Sequence, residues 1–237
     1  MNSPGTFTGV GVGPGPEGFI SLVAWEALKK ADLIFVPRAA ATEKSIALQC
    51  LNGLDLPPER LREFEYGMDD SKDALSRRYR ELAAILAAEV TCGRNVAYVT
   101  IGDSLTYSTY SYTLAALLDL VPDLPHLTYP GVTSYCAAAS ALEWPLGQGK
   151  ERVLILPCPD DERELQQDIE SHDIVVLMKI GHRLSFVLKV IHEMGIAGHC
   201  ALASRIGLPG QLLVKNLTQL PCAGTAGYLT TMLIRKS

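Results

Sequence analysis

Four glycines recur at every second position, Gly9, Gly11, Gly13 and Gly15, with Pro14 among them. They lie in the run TFTGVGVGPGPEGFISLVAWEALKKADLIFVP. A strand-length start, a glycine-dense turn and an amphipathic stretch point to strand, loop, helix, strand. Glycine carries no Cβ, so a ligand or a second backbone approaches closely at such a turn. The pattern directs the chain toward an α/β fold that holds a small molecule at the end of its first strand.

The following segments continue the alternation. Residues 6–11 read as a strand, 20–31 as a helix and 33–36 as a second strand stopped by Pro37. Leu75, Tyr79, Leu82 and Leu86 recur at helical spacing and predict a helix over 71–90, capped by Asp70 or Ser71. Residues 95–101 form an apolar run of strand length, typical of a strand buried on both faces. Residues 113–120 read as a helix. Such alternation implies a parallel sheet with right-handed crossovers. Pro122, Pro125 and Pro130 then mark a boundary region. Beyond it, helices are predicted over 134–142, 162–170 and 183–194. Strands are predicted over 152–156, 174–178, 211–215 and 228–235. The expectation is two α/β domains, residues 1–126 and 127–237, with a cleft between them.

Composition narrows the function. Net charge is −5, with no basic block and no Lys/Arg stripe interleaved with aromatics, which argues against a nucleic-acid partner. No apolar run reaches the roughly 18 residues of a membrane span, and MNSPGTFTGVG lacks the pattern of a secretory leader. Six scattered cysteines without a CxxC pair fit reduced thiols in a cytoplasmic protein. The five histidines show no HxxxH or HExxH spacing, so no metal site is expected.

Gly13, Gly15 and Gly18 satisfy the letters of the dinucleotide pattern G-x-G-x-x-G. A nicotinamide oxidoreductase also wants an acidic residue after the second strand, to hold a ribose hydroxyl. That strand ends Phe35-Val36-Pro37-Arg38. Pro14 and Pro16 also remove two N–H groups that would face a pyrophosphate. The dinucleotide reading is therefore disfavoured.

Four further motifs bear on the ligand. VTIGDSLTYSTYSY (99–112) places Gly102-Asp103 where a parallel strand ends, the position at which open α/β sheets bind ligands. TYPGVTSYCAAASAL (128–142), VVLMKIGH (175–182) and SRIGLPGQ (204–211) follow. In order and spacing, these with the glycine loop resemble the tetrapyrrole (corrin/porphyrin) methylases, over residues 9–235. YSTYSY, MKIG and the closing LIRK are most similar to the C20-methyltransferases of precorrin-2 and cobalt-factor II, which serve cobalamin synthesis. Other branches, acting on a different ring carbon or on a non-tetrapyrrole acceptor, remain open. The uroporphyrinogen III branch carries an aspartate where this chain has Pro37.

The resemblance implies an S-adenosylmethionine-dependent methyltransferase, a tetrapyrrole substrate and a homodimer. It carries cofactor contacts onto Pro14, Ile101, Gly102, Asp103 and Thr106, then onto Thr133 and Ser134, Met178 or Lys179, and Gly207. The family's Gly-Asp-Pro is here Gly102-Asp103-Ser104, which removes a rigid residue from the turn. Methyl transfer from a sulfonium needs no covalent enzyme intermediate. The main task would be alignment, which is worth up to roughly 7–11 kcal/mol in ideal cases.

Such a substrate is a polycarboxylate, so an acidic protein must gather positive charge locally. Arg38, Lys179, His182, Arg183 and Arg205 fall at or just beyond predicted strand ends. Tyr107 and Tyr110 are candidates for an aromatic wall, or equally for the core. The choice of a proton acceptor stays open among Tyr107, His182 and a water.

Overall fold

All five residues of the strand Val96–Thr100 are buried, as its unbroken apolar run requires. Around it, in a computed structural model, the chain folds as two units, residues 1–133 and 134–237. The structure describes residues 3–15, 18–40, 44–66, 71–220 and 227–236. Pro16, Asp70 and Cys222 lie outside the described residues.

The first unit runs β1 (Phe7–Gly11), α1 (Leu22–Lys30), β2 (Leu33–Ala39), α2 (Ile46–Cys50), β3 (Leu61–Tyr66), α3 (Lys72–Thr91), β4 (Val96–Thr100), α4 (Thr109–Leu120) and β5 (His126–Tyr129). Its sheet has the order β3-β2-β4-β1-β5, with every pairing parallel. Serine caps start the helices. Ser21 Oγ accepts from the Ala24 amide, Ser71 Oγ from Ala74 and Ser108 Oγ from Tyr110. The predicted periodicity of α3 sets Leu82, Leu86 and Val90 into a core with Phe7, Val96 and Tyr98.

Pro37 does not end β2. The strand continues to Ala39 on its β3 side, with Pro37 opposite Phe64 and Arg38 opposite Glu65. Only the β4 side stops, after Phe35. Proline has no N–H for a ladder, and it is tolerated where one edge of a strand is unpaired.

β5 pairs with β1 from His126 onward, so the residues after the expected boundary at 126 still belong to the first sheet. The division by packing follows Thr133.

The second unit runs α5 (Ser134–Leu142), β6 (Val153–Pro157), α6 (Glu162–Ser171), β7 (Ile174–Met178), α7 (Leu184–Glu193), β8 (Cys200–Ser204), β9 (Leu212–Val214) and β10 (Thr230–Arg235). The order is β6-β7-β10-β8-β9. Only β6 and β7 are parallel, while β10 runs antiparallel to both β7 and β8. Leu165 and Ile169 of α6 and Val187, Leu188 and Ile191 of α7 pack with Val175, Leu177 and Met232 into one core.

Candidate functional site

The carboxyl ends of β1, β4 and β5 meet at glycines. Gly13 and Gly102 exchange both backbone hydrogen bonds, at 3.1 and 2.8 Å, in an isolated antiparallel bridge. Gly131, just after β5, lies so near that a Cβ there would overlap the Gly102 carbonyl. A Cβ on Gly11 would stand 2.5 Å from the Gly131 nitrogen. Three loops therefore approach one another over bare backbone.

Asp103 ties these loops. Its Oδ1 accepts from the Leu105 amide (3.0 Å) and from Thr106 Oγ1 (2.9 Å), and its Oδ2 accepts from the Gly131 amide (3.1 Å). Partial burial acts to raise the Asp103 pKa, but the hydrogen bonds from Leu105, Thr106 and Gly131 outweigh it, and the net shift is downward. The carboxylate is thus ionised at neutral pH. Gly131 is the donor to Oδ2, which leaves acceptor capacity on that oxygen.

Ser104, where the resemblance sets proline, is fully buried and donates to the Tyr129 carbonyl at 2.9 Å. Its own carbonyl accepts from Ser108 Oγ. The turn is held by hydrogen bonds in place of a ring. Gly131, Ser104 and Ser108 were not singled out as site residues from sequence. The Pro130-Gly131 turn was the one signal available for the first of them.

Pro14 is buried beside Gly13, and Ile101 and Thr106 are half-buried in the same cluster of loops. Tyr107 is 44% exposed and has φ of 52°. Tyr110 belongs to the core and not to an open aromatic wall. It is fully buried, its ring fills the space above Gly9 and stacks on Phe7, and its hydroxyl bonds Thr128 Oγ1 at 2.6 Å. Arg38 is engaged on β3, pairing with Glu63 at 3.1 Å and with Glu65.

In the second unit, Ser134 Oγ shares a 3.0 Å hydrogen bond with Thr231 Oγ1. Met178 ends β7 and accepts from the Cys158 amide at 2.7 Å. Lys179 follows in the left-handed region (φ 52°). Arg183, expected among the cations that bind the substrate, is a clamp. It donates to Asp160 (2.7 Å) and to the carbonyls of Cys158 (2.7 Å), Lys179 (2.8 Å) and Ile180 (3.2 Å). His182 is exposed beside it. Arg205, after β8, also has φ of 52°, and the Gly207 amide donates to Gln211 Oε1 at 2.7 Å. Lys179 and Arg205 thus each carry a non-glycine left-handed backbone directly after a strand's carboxyl end, and Tyr107 carries one in the loop between β4 and α4. Such conformations cost of order 1–3 kcal/mol and concentrate at functional sites.

Among the described residues no group of three metal-ligating side chains occurs, and no helix is long and apolar enough to cross a membrane.

Comparison with known proteins agrees with this geometry. The family model of the tetrapyrrole (corrin/porphyrin) methylases matches residues 6–221. The cobalt-precorrin-2 C(20)-methyltransferase of Salmonella typhimurium is 26% identical, over 98% of this chain and 97% of its own length. A protein of Methanocaldococcus jannaschii named probable cobalt-precorrin-2 C(20)-methyltransferase is 33% identical, over 72% of this chain and 70% of its own. Among solved structures, the cobalt precorrin-4 methyltransferase CbiF superposes with a TM-score of 0.71 at 16% identity, covering 97% of this chain and 94% of its own. The methyltransferase CobJ superposes at 0.67 with 22% identity, covering 98% and 94%. At these identities the two structures speak for the fold. With nine-tenths of its length matched, the chain belongs to the tetrapyrrole (corrin/porphyrin) methylases.

Proposed function

We propose that this protein transfers a methyl group from S-adenosylmethionine to C20 of precorrin-2 or of its cobalt form, in the making of the corrin ring. The observation that carries the reading is the likeness to C20-methyltransferases along nearly the whole chain, joined to an ionised Asp103 on a glycine-walled turn.

The residues fit a nucleoside. Missing Cβ atoms at Gly11, Gly13 and Gly131 let the loops close on one another, and Asp103 offers an acceptor for a ribose hydroxyl or an amine. Pro14, Ile101, Gly102, Asp103, Thr106, Thr133, Ser134, Met178, Lys179 and Gly207 are proposed as its contacts. When bound, S-adenosylmethionine supplies a methyl group on a sulfonium, open to displacement by a carbon nucleophile. The chain's own part is to orient. Loops pinned by Asp103 and Ser104 in the first unit, and by Arg183 in the second, hold fixed positions without reorganisation. Tyr107 is exposed at the first set of loops and is proposed as a contact of the acceptor. Homodimer formation and a cytoplasmic setting belong to the same reading.

The test is incubation with S-adenosylmethionine and either precorrin-2 or its cobalt form in parallel. Mass spectrometry should show one added methyl, and NMR should place it at C20. A methyl on another ring carbon would assign the chain to a different branch of the family. Absence of transfer to both acceptors would overturn the reading.

A further inference from the structure

The cations expected around the substrate divide into two kinds. Arg38 and Arg183 are paired with carboxylates of their own unit. Lys179 and Arg205 have no ion-pair partner among the described residues. Arg205 Nε donates to the Pro209 carbonyl at 2.8 Å, which leaves the rest of its guanidinium without a carboxylate. The Lys179 ammonium is partly desolvated, which lowers its pKa, and no counter-charge offsets the burial.

These two residues share one end of the second sheet. β7 and β8 flank β10, each antiparallel to it, so their carboxyl ends point the same way. Leu177 and Leu202 both stand opposite Met232, which sets the two strands level. Two strand spacings of about 4.8 Å place the backbones of Lys179 and Arg205 on the order of 10 Å apart. Both backbones are left-handed and both are locked. The Lys179 carbonyl accepts from Arg183 Nη2, the Arg205 amide donates to the Leu229 carbonyl at 3.0 Å, and the Arg205 carbonyl accepts from Leu208 at 2.9 Å. Strained backbone persists where surrounding bonds over-determine it. Here it fixes the starting points of two unpaired cations.

We propose that Lys179 and Arg205 form a two-point carboxylate-binding edge on the second unit, with Arg183 as the positioning residue that sets Lys179. Carboxylates occur both on the tetrapyrrole acceptor and on the amino-acid end of the methyl donor. The acceptor is the source we assign, which rests on the reading given under Proposed function. A spaced pair of cations suits a ligand bearing several carboxylates, whereas the donor carries one.

The test uses Lys179→Met, Arg205→Met and the double variant, with thermal melting to verify folding. Methionine keeps an unbranched stem, so the backbone demand at each position is unchanged. Uroporphyrin, a stable octacarboxylate, is titrated by absorbance. S-adenosylhomocysteine and methylthioadenosine, which lacks the carboxylate, are titrated by calorimetry. Each single variant should weaken uroporphyrin about tenfold and flatten its salt dependence, and Arg205→Met, at a residue outside the proposed donor contacts, should leave both nucleoside affinities unchanged. A loss for S-adenosylhomocysteine but not for methylthioadenosine would support the carboxylate edge and move its ligand to the donor. Affinities for all three probes within about twofold of wild type, in a variant of unchanged melting temperature, would overturn the proposal. None of these titrations requires turnover, so their failure is distinguishable from a failure of C20 methylation.

Discussion

The Gly131 amide donates to Asp103 Oδ2 at 3.1 Å, so one carboxylate holds the loop after β4 to the loop after β5. Its other oxygen closes the turn on Leu105 and Thr106. Asp103→Ala removes all three bonds and the acceptor offered to a nucleoside. We expect S-adenosylhomocysteine to bind at least about tenfold more weakly by calorimetry. Stability should fall by about 1–3 kcal/mol in urea.

The same carboxylate sets a pH dependence. Its pKa is lower folded than unfolded. Its contribution to stability is therefore fully present above the unfolded aspartate value of about 3.9, and is lost as pH falls through the lower folded value. The melting-temperature gap between wild type and Asp103→Asn should be constant from about pH 8 to 5 and should shrink below about pH 4. A gap that shrank between pH 8 and 6 would point to another titrating group.

Gly131→Ala tests the close approach of the loops. The added Cβ meets the Gly102 carbonyl and the Gly11 backbone, neither of which is the flexible end of a side chain. Overpacking of this kind costs about 1–3 kcal/mol and sometimes more. Thermal melting should show the loss, and nucleoside binding should weaken with it because the loops are forced apart.

Tyr110→Phe separates a core role from a substrate role. The lost hydroxyl leaves Thr128 without its 2.6 Å partner. A destabilisation of about 1 kcal/mol is expected, with KM for the tetrapyrrole unchanged. A raised KM at unchanged stability would return Tyr110 to the substrate wall.

Thiol reactivity should follow burial. Desolvation pushes Cys50 and Cys200 up to about 12 and Cys158 to about 11, the last despite the Arg183 charge beside it. Cys92 and Cys136 are exposed. Brief alkylation of the native protein near pH 8 should label Cys92 and Cys136 and spare Cys50, Cys158 and Cys200. Labelling of all six cysteines of the chain should follow denaturation, as read by peptide mass spectrometry.

The sequence showed most where burial is one-sided or complete. The stripe of α3 and the runs of β4 and β7 declare themselves because each element repeats one environment. Three strands did not. β3 (LREFEY) and β5 (HLTY) are edge strands that carry charge or stop after four residues. β8 (CALAS) is entirely buried between β10 and β9 yet lacks β-branched residues, because mostly small side chains serve there. The site was legible as motifs and illegible as wiring. Gly102-Asp103 marked the turn, but which amide Asp103 would accept depends on a strand pairing that was not foreseen. Arg183 looked like Arg205 in the sequence. Only the distances to Asp160 and to three carbonyls make one a clamp and leave the other without a counter-charge.

β10 occupies the middle of its sheet although, among the described residues, it is made after the nine other strands. The first sheet has all its strands in hand once Tyr129 has left the ribosome. The second has β6 and β7 early, then β8 and β9, with a gap between the two groups that only residues 230–235 fill. During synthesis the flanking edges of β7 and β8 therefore stay open until residues 230–235 are made. A stalled or prematurely ended translation product would present two unpaired, apolar strand edges to other chains, a state prone to aggregation and a natural target for chaperones.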